Sequence, residues 1–128
     1  LEVEAYLSEG DEAAHAWRGR TARTEVLYGE PGHAYVFLNY GIHCCLNVVA
    51  EPAGTPGCVL IRHVDGWGDG PGKLTRAAGI TLEQNGCDLT RGPLLIRHGD
   101  APPSIEATRR IGIHRSADLM LRFVARGV

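Results

Sequence analysis

The first seven residues set carboxylates and an aromatic ring at a spacing that could do chemistry. In Leu1-Glu2-Val3-Glu4-Ala5-Tyr6-Leu7 apolar and polar side chains alternate, and in a β-strand residues i and i+2 share a face. Glu2, Glu4 and Tyr6 therefore project together, and Leu1, Val3, Ala5 and Leu7 are expected on the core side. A carboxylate beside a flat ring suits the wall of a ligand cleft better than it suits a core. Such a face offers acid–base work by the carboxylate and stacking on the ring. The same alternation also describes an ordinary half-buried edge strand with two solvated glutamates.

Other chemistry is poorly supported by spacing. The four cysteines Cys44, Cys45, Cys58 and Cys87 form no C-x-x-C pair, and adjacent Cys44 and Cys45 point to opposite faces of a strand. They read as reduced thiols, and His15, His33 and His43 lack the paired spacing that zinc prefers. No metal or other cofactor is expected. Gly70-Pro71-Gly72-Lys73-Leu74 resembles a triphosphate loop only superficially, because that motif requires glycine where Trp67 stands and serine or threonine where Leu74 stands. A net charge of -2 does not mark a nucleic-acid binder. Arg18, Arg20 and Arg23 nevertheless form one local basic cluster, and Arg109, Arg110 and Arg115 another.

The elements that must position these residues follow from pattern. Strands are predicted over residues 1–7, 34–38, 43–49 and 58–64, the middle two joined as a hairpin through Asn39-Tyr40-Gly41-Ile42. A short helix over 12–18 is predicted with Asp11 as its cap. Residues 18–33 read as a loop and 51–57 as a turn. A helix begins at Lys73 and ends at Gly79, its amide-rich start and single ammonium offering a phosphate contact. Late strands are predicted at 94–97 and 119–125. The length of 128 residues fits one domain with one core, and no apolar run approaches membrane-spanning length, so a soluble intracellular protein is expected.

Blocks along almost the whole chain resemble the alkyladenine (3-methyladenine) DNA glycosylase family. They are Val3-Glu4-Ala5-Tyr6, Asp11-Glu12-Ala13-Ala14-His15, Arg18 to Arg23, Pro31 to Phe37, Tyr40-Gly41-Ile42-His43, Leu46 to Val49, Val59 to Arg62, Gly70 to Leu74 and Arg110-Ile111-Gly112-Ile113. The resemblance implies a single α+β domain over 1–128, with a curved, mainly antiparallel β-sheet and a few short helices. It also implies a preceding N-terminal segment, and an insertion near 64–69, that are missing here. The implied function is base-excision repair: an alkylated or deaminated purine (the 3-methyladenine, hypoxanthine and ethenoadenine class) is flipped from duplex DNA and its N-glycosidic bond hydrolysed.

Each site residue takes its role from that resemblance. Glu4 is the general base that activates a water, and Arg62 helps hold both. A backbone carbonyl within 110–113 completes the water's partners. Tyr6, His15 and Phe37 grip the base, Phe37 standing where the family commonly has tyrosine. Asn47 lies at the pocket floor and discriminates against guanine. Tyr40 intercalates, and Arg20, Arg23 and Lys73 contact the DNA backbone. Lys73 is the only lysine, so a water-using, monofunctional enzyme without a lyase step is expected rather than an amine nucleophile. The partner is double-stranded DNA carrying a damaged purine. The chain is expected to act as a monomer, without membrane association, in the cytoplasm with the nucleoid or in a nucleus. The alternative is a catalytically silent lesion binder of the same fold.

Overall fold

Alternation in the first half of the chain becomes sheet in the computed structural model, which describes residues 1–128. Strands β1 (Glu2–Tyr6), β2 (Ala34–Asn39), β3 (His43–Val49) and β4 (Cys58–Val64) come first. A short β5 (Gly68–Asp69), helix α1 (Pro71–Ala78), β6 (Ser104–Thr108) and β7 (Arg122–Arg126) follow. Across the sheet the order is β2-β3-β4-β1-β7-β6, with β5 on β4. All of these pairings are antiparallel. Single 3-10 turns at His15–Arg18, Glu25–Tyr28 and Leu82–Gln84 complete the regular structure. The class is α+β, as the sequence led us to expect.

The two faces of the central strands are covered differently. One carries Ala34, Val36 and Leu46, packed with Ile80 and Leu89. Helix α1 lies on this side: Leu74 is fully buried, and Thr75 Oγ1 donates to the Cys44 carbonyl at 2.8 Å. Pro71 opens the helix, where its missing N–H is no loss. Gly79 closes it in the left-handed conformation. The opposite face carries Tyr35, Val49 and Cys58, covered by Ala16 and Leu27 from the segment between β1 and β2.

The β2–β3 hairpin turns at Tyr40-Gly41, where Ile42 N–H donates to the Asn39 carbonyl at 3.1 Å. Both turn residues have positive φ, 53° and 66°. Positive φ at both central residues is the pattern of the tight hairpin turns, and the Asn39↔His43 pairing leaves Tyr40, Gly41 and Ile42 in the loop. Glycine adopts positive φ freely, whereas a bulky L-residue there is strained.

Several expectations need correction. The Glu2–Glu4 face of β1 is the buried one, while Leu1 and Leu7 are about two-fifths exposed (41% and 40%). Alternation identifies two faces but not which one the rest of the chain covers. No helix spans 12–18: Asp11 Oδ1 does accept from Ala13 N–H, but the segment makes only turns and the 3-10 stretch His15–Arg18. Seven residues are too few to nucleate a helix without strong packing. Residues 94–97 form no strand, because Ile96 N–H bonds the nearby Leu89 carbonyl rather than a sheet partner. The last strand begins at Arg122 rather than at 119, since residues 116–121 close local turns. Strand β6 was unforeseen. Its residues are exposed from Ser104 to Ala107, so it has no apolar stripe to betray it.

Helix α1 is anchored through Leu74. Leu74→Ala should destabilise the fold by ~2–5 kcal/mol, the usual range for a large-to-small change at a filled core site. Urea denaturation checks this, and a loss below about 1 kcal/mol would show that α1 is not firmly docked on the sheet.

Candidate active site

The covered face of β1 to β4 encloses a cavity of about 190 Å³. That is below the ~300–1,000 Å³ of pockets for drug-sized ligands, and it suits a single heterocycle. Strand alternation sends Glu4 and Tyr6, Phe37 and Asn39, Asn47, and Leu60 and Arg62 toward it. Tyr40 stands at its rim, 87% exposed.

Glu4 is completely buried. Its Oε1 accepts from the Tyr6 hydroxyl at 3.0 Å and its Oε2 from Ile111 N–H at 2.7 Å. Arg62 Nη1 lies 3.8 Å from Oε1, close enough for charge attraction but not for a good hydrogen bond. A carboxylate has about four lone-pair sites, so two donors leave acceptor capacity for a water. Burial pushes the Tyr6 hydroxyl pKa up, and the Glu4 charge adds to this. Tyr6 therefore keeps its proton and is the donor in the pair. The segment 110–113 reaches Glu4 through the Ile111 amide, and Ile111, Gly112 and Ile113 line the cavity.

Arg62 shares the cavity side of β4 with Leu60 and sits beside a bulge. The β1–β4 register runs from Glu2↔His63 to Val3↔Ile61, which leaves Arg62 without an opposite residue and brings it beside Glu2. Its Nε donates to Glu2 Oε1 at 3.0 Å, and Arg122 Nε donates to the same oxygen at 2.5 Å. Burial alone would raise the Glu2 pKa. The bonds from Arg122 and Arg62 outweigh it and hold the carboxyl below its ordinary value. Glu2, outside the residues expected to act, is thus the anchor of one that is expected to.

A second ion pair escaped sequence reasoning. Arg110, grouped above with surface arginines, is buried and grips Asp11 with both Nη atoms at 2.6 and 2.8 Å. Burial would raise the Asp11 pKa, but the Arg110 bonds and the Leu7 amide reverse the shift and leave it lowered. The partners stand 99 residues apart, and no local signal links them. Arg109 and Arg115 do lie exposed.

The expected grip residues meet. His15 Nδ1 is 2.8 Å from the Tyr35 hydroxyl, and its ring sits 4.4 Å from Phe37, edge to face. His15 is exposed as a residue, but its ring is packed against Tyr35 and Phe37, and desolvation there, with the Arg23 charge beside it, lowers its pKa to about 4. The ring is therefore neutral at pH 7. Asn47 is buried, its Nδ2 donating to the Tyr35 carbonyl at 3.2 Å and its Oδ1 accepting from Cys58 Sγ at 3.7 Å. It is both a satisfied strand residue and part of the cavity wall.

The expected backbone contacts are scattered. Arg23 lies over the outer face of Phe37, 5.4 Å from its centroid. Arg20 is engaged by Glu25, with its Nε 2.8 Å from Oε2. Lys73 is exposed on the first turn of α1. Among possible metal ligands, Glu2, His63 and Asp69 come within 4.8 Å of one another, but Glu2 is already taken by two guanidinium groups, which repel a cation. All four cysteines are free, Cys45 lining the cavity and Cys44 on the strand's other face.

The family model described as Methylpurine-DNA glycosylase (MPG) matches residues 1–66 and 65–128. The chain belongs to that family. It is 43% identical over 150 residues to the "Putative 3-methyladenine DNA glycosylase" of Methanoculleus marisnigri, covering 99% of this chain and 78% of that one. Relatives with the same name occur in Chlorobium phaeobacteroides (45% identity, 95% of this chain, 71% of that one) and Rhodopseudomonas palustris (42%, 96% and 68%). Within this glycosylase family chain no helix is long and apolar enough to cross a membrane.

The crowded imidazole gives a direct check. NMR titration of His15 should show a midpoint of about 4, and a midpoint near the free value of about 6.5 would show an open, solvated ring. The unfolded chain takes up this proton first. The stability contributed by neutral His15 is therefore present above about pH 6.5 and lost as pH falls toward the folded midpoint.

Proposed function

We propose that the chain excises alkylated or deaminated purines from duplex DNA, hydrolysing the N-glycosidic bond with a water activated by Glu4. One observation carries this reading: a wholly buried carboxylate with acceptor capacity to spare faces a ring-lined cavity the size of one base. The names of the relatives support DNA and methylated purine as the substrate class.

A base inside a duplex must leave the stack before its glycosidic carbon can be reached. Tyr40, held outward by its strained turn, enters the gap and offsets part of the unstacking cost. The base then stacks against Tyr6, His15 and Phe37. Neutral His15 adds no charge to repel a purine made cationic by alkylation, and aromatic faces attract such a cation. Asn47, fixed at the floor, crowds a guanine amino group. Glu4 takes a proton from water as the water oxygen bonds to the sugar carbon, and the electron pair of the broken N-glycosidic bond leaves with the purine, which departs neutral if alkylation had made it cationic and otherwise as an anion that takes a proton from solvent. The carboxylate also favours the cationic character that develops on the sugar. Arg62 steadies Glu4 and the water. Lys73, the only lysine, is not at the cavity. Water rather than an amine is therefore the nucleophile, and no strand cleavage follows.

Arg23 and Lys73 serve as phosphate contacts. Arg20 joins them, its exposed pair with Glu25 being readily screened. The chain acts as a monomer, without cofactor, in the compartment that holds the genome.

Two substitutions test the reading on a hypoxanthine-containing duplex. Glu4→Gln should lower single-turnover release of the base by about 10²–10⁴-fold, the usual contribution of a general base, with lesion affinity retained. Release as fast as wild type would end the mechanism, and a wild-type chain that binds the lesion without releasing it would be the silent binder. Tyr40→Ser should weaken lesion-duplex binding by about tenfold or more, because unstacking costs a few kcal/mol. Unchanged affinity would remove the wedge.

A further inference from the structure

We propose that Asp11 and Arg110 are positioning residues for Glu4 and Tyr6, a role that rests on the glycosylase reading above. The pair is wholly shielded from solvent at both side chains. A buried ion pair is no guarantee of net stability, since desolvation offsets much of the attraction. Its contacts point to a different role.

The two Nη atoms of Arg110 make four hydrogen bonds: two to Asp11, one to the Ala5 carbonyl at 3.1 Å and one to the Ser116 carbonyl at 3.2 Å. Ala5 lies between Glu4 and Tyr6 in β1. The guanidinium also stacks on the Tyr6 ring, 4.7 Å from its centroid. Ile111, the next residue, donates its amide to Glu4 Oε2. One side chain therefore holds the backbone between the two cavity residues and backs the ring of one. It also fixes the peptide that bonds the carboxylate of the other.

Asp11 completes the clamp. Its Oδ2 accepts from Leu7 N–H at 3.0 Å and its Oδ1 from Ala13 N–H at 3.1 Å. The end of β1 and the approach to His15 are thereby tied to the same guanidinium. Arg110 Nε has no hydrogen-bond partner although it is buried. An unsatisfied buried donor is unusual and asks for a reason. Here the guanidinium plane is set by the fork to Asp11 and by the Tyr6 ring, at the expense of its fifth donor. A lysine has neither the fork nor the plane.

The test compares Arg110→Lys, Asp11→Asn, Glu4→Gln and wild type in the full chain. Readouts are the circular-dichroism melt, lesion-duplex affinity, the single-turnover rate of base release and the Ile111 amide resonance in isoleucine-labelled protein. For Arg110→Lys we expect a folded chain with affinity within about threefold of wild type and a rate at least tenfold lower. We also expect an Ile111 amide shifted away from its carboxylate-bonded position. Asp11→Asn should reproduce the pattern. A wild-type rate, or an unmoved Ile111 resonance, in a folded variant overturns the inference. So does the unfolding of both variants at assay temperature, which would make the pair a structural staple. Full activity in Glu4→Gln would instead sink the glycosylase mechanism itself.

Discussion

A fully buried carboxylate must be stabilised by hydrogen bonds and opposite charge, or it neutralises itself by taking up a proton. That requirement organises the centre of this sheet. Three acids, Glu2, Glu4 and Asp11, are drawn inside, and three arginines, Arg62, Arg110 and Arg122, follow them. The arginines arrive from β4, from the stretch after β6 and from β7, so the sheet must close around β1 before any acid is satisfied. Strand order meets that demand. β1 lies between β4 and β7, which places Glu4 opposite Leu60 on one side and Arg122 on the other.

Charge pairing also divides the labour between the two glutamates of β1. Glu2 is held by two guanidinium groups, which bond the same oxygen. Glu4 receives one hydroxyl and one amide, with Arg62 held just beyond bonding distance. The first is a structural anchor and the second remains available for chemistry. Arg62 serves both, bonding Glu2 through Nε while its Nη1 faces Glu4.

Sequence pattern revealed much of this frame, and its failures have physical causes. The hairpin was legible because β-branched and aromatic residues flank a glycine turn. The helix end was legible because Gly79 takes a conformation other residues resist. The cavity wall was legible in pieces, since alternation groups Glu4 with Tyr6 and Phe37 with Asn39. Which face of β1 would be covered was not legible, because that depends on where residues 10–28 fold back. The Asp11–Arg110 pair was hidden by its separation. Asp11 looked like a helix cap because its side chain does bond a nearby amide, and the long-range partner that dominates it leaves no local trace. Strand β6, exposed at the sheet edge, carries no burial pattern at all.

Three departures from local rules lie at the cavity or directly behind its wall. Tyr40 occupies a conformation better suited to glycine, Arg62 interrupts a strand register, and Arg110 leaves a buried donor unpaired. Each departure is unfavourable by itself and persists only because neighbours over-determine it. In Tyr40 the strained turn projects the ring beyond the hairpin rather than letting it fold back on the strands. At Arg62 the irregular register lies beside a side chain that faces two carboxylates. In Arg110 the sacrificed hydrogen bond accompanies a flat contact with Tyr6. Relaxing any one would suit the isolated segment better and would move a group that faces the cavity.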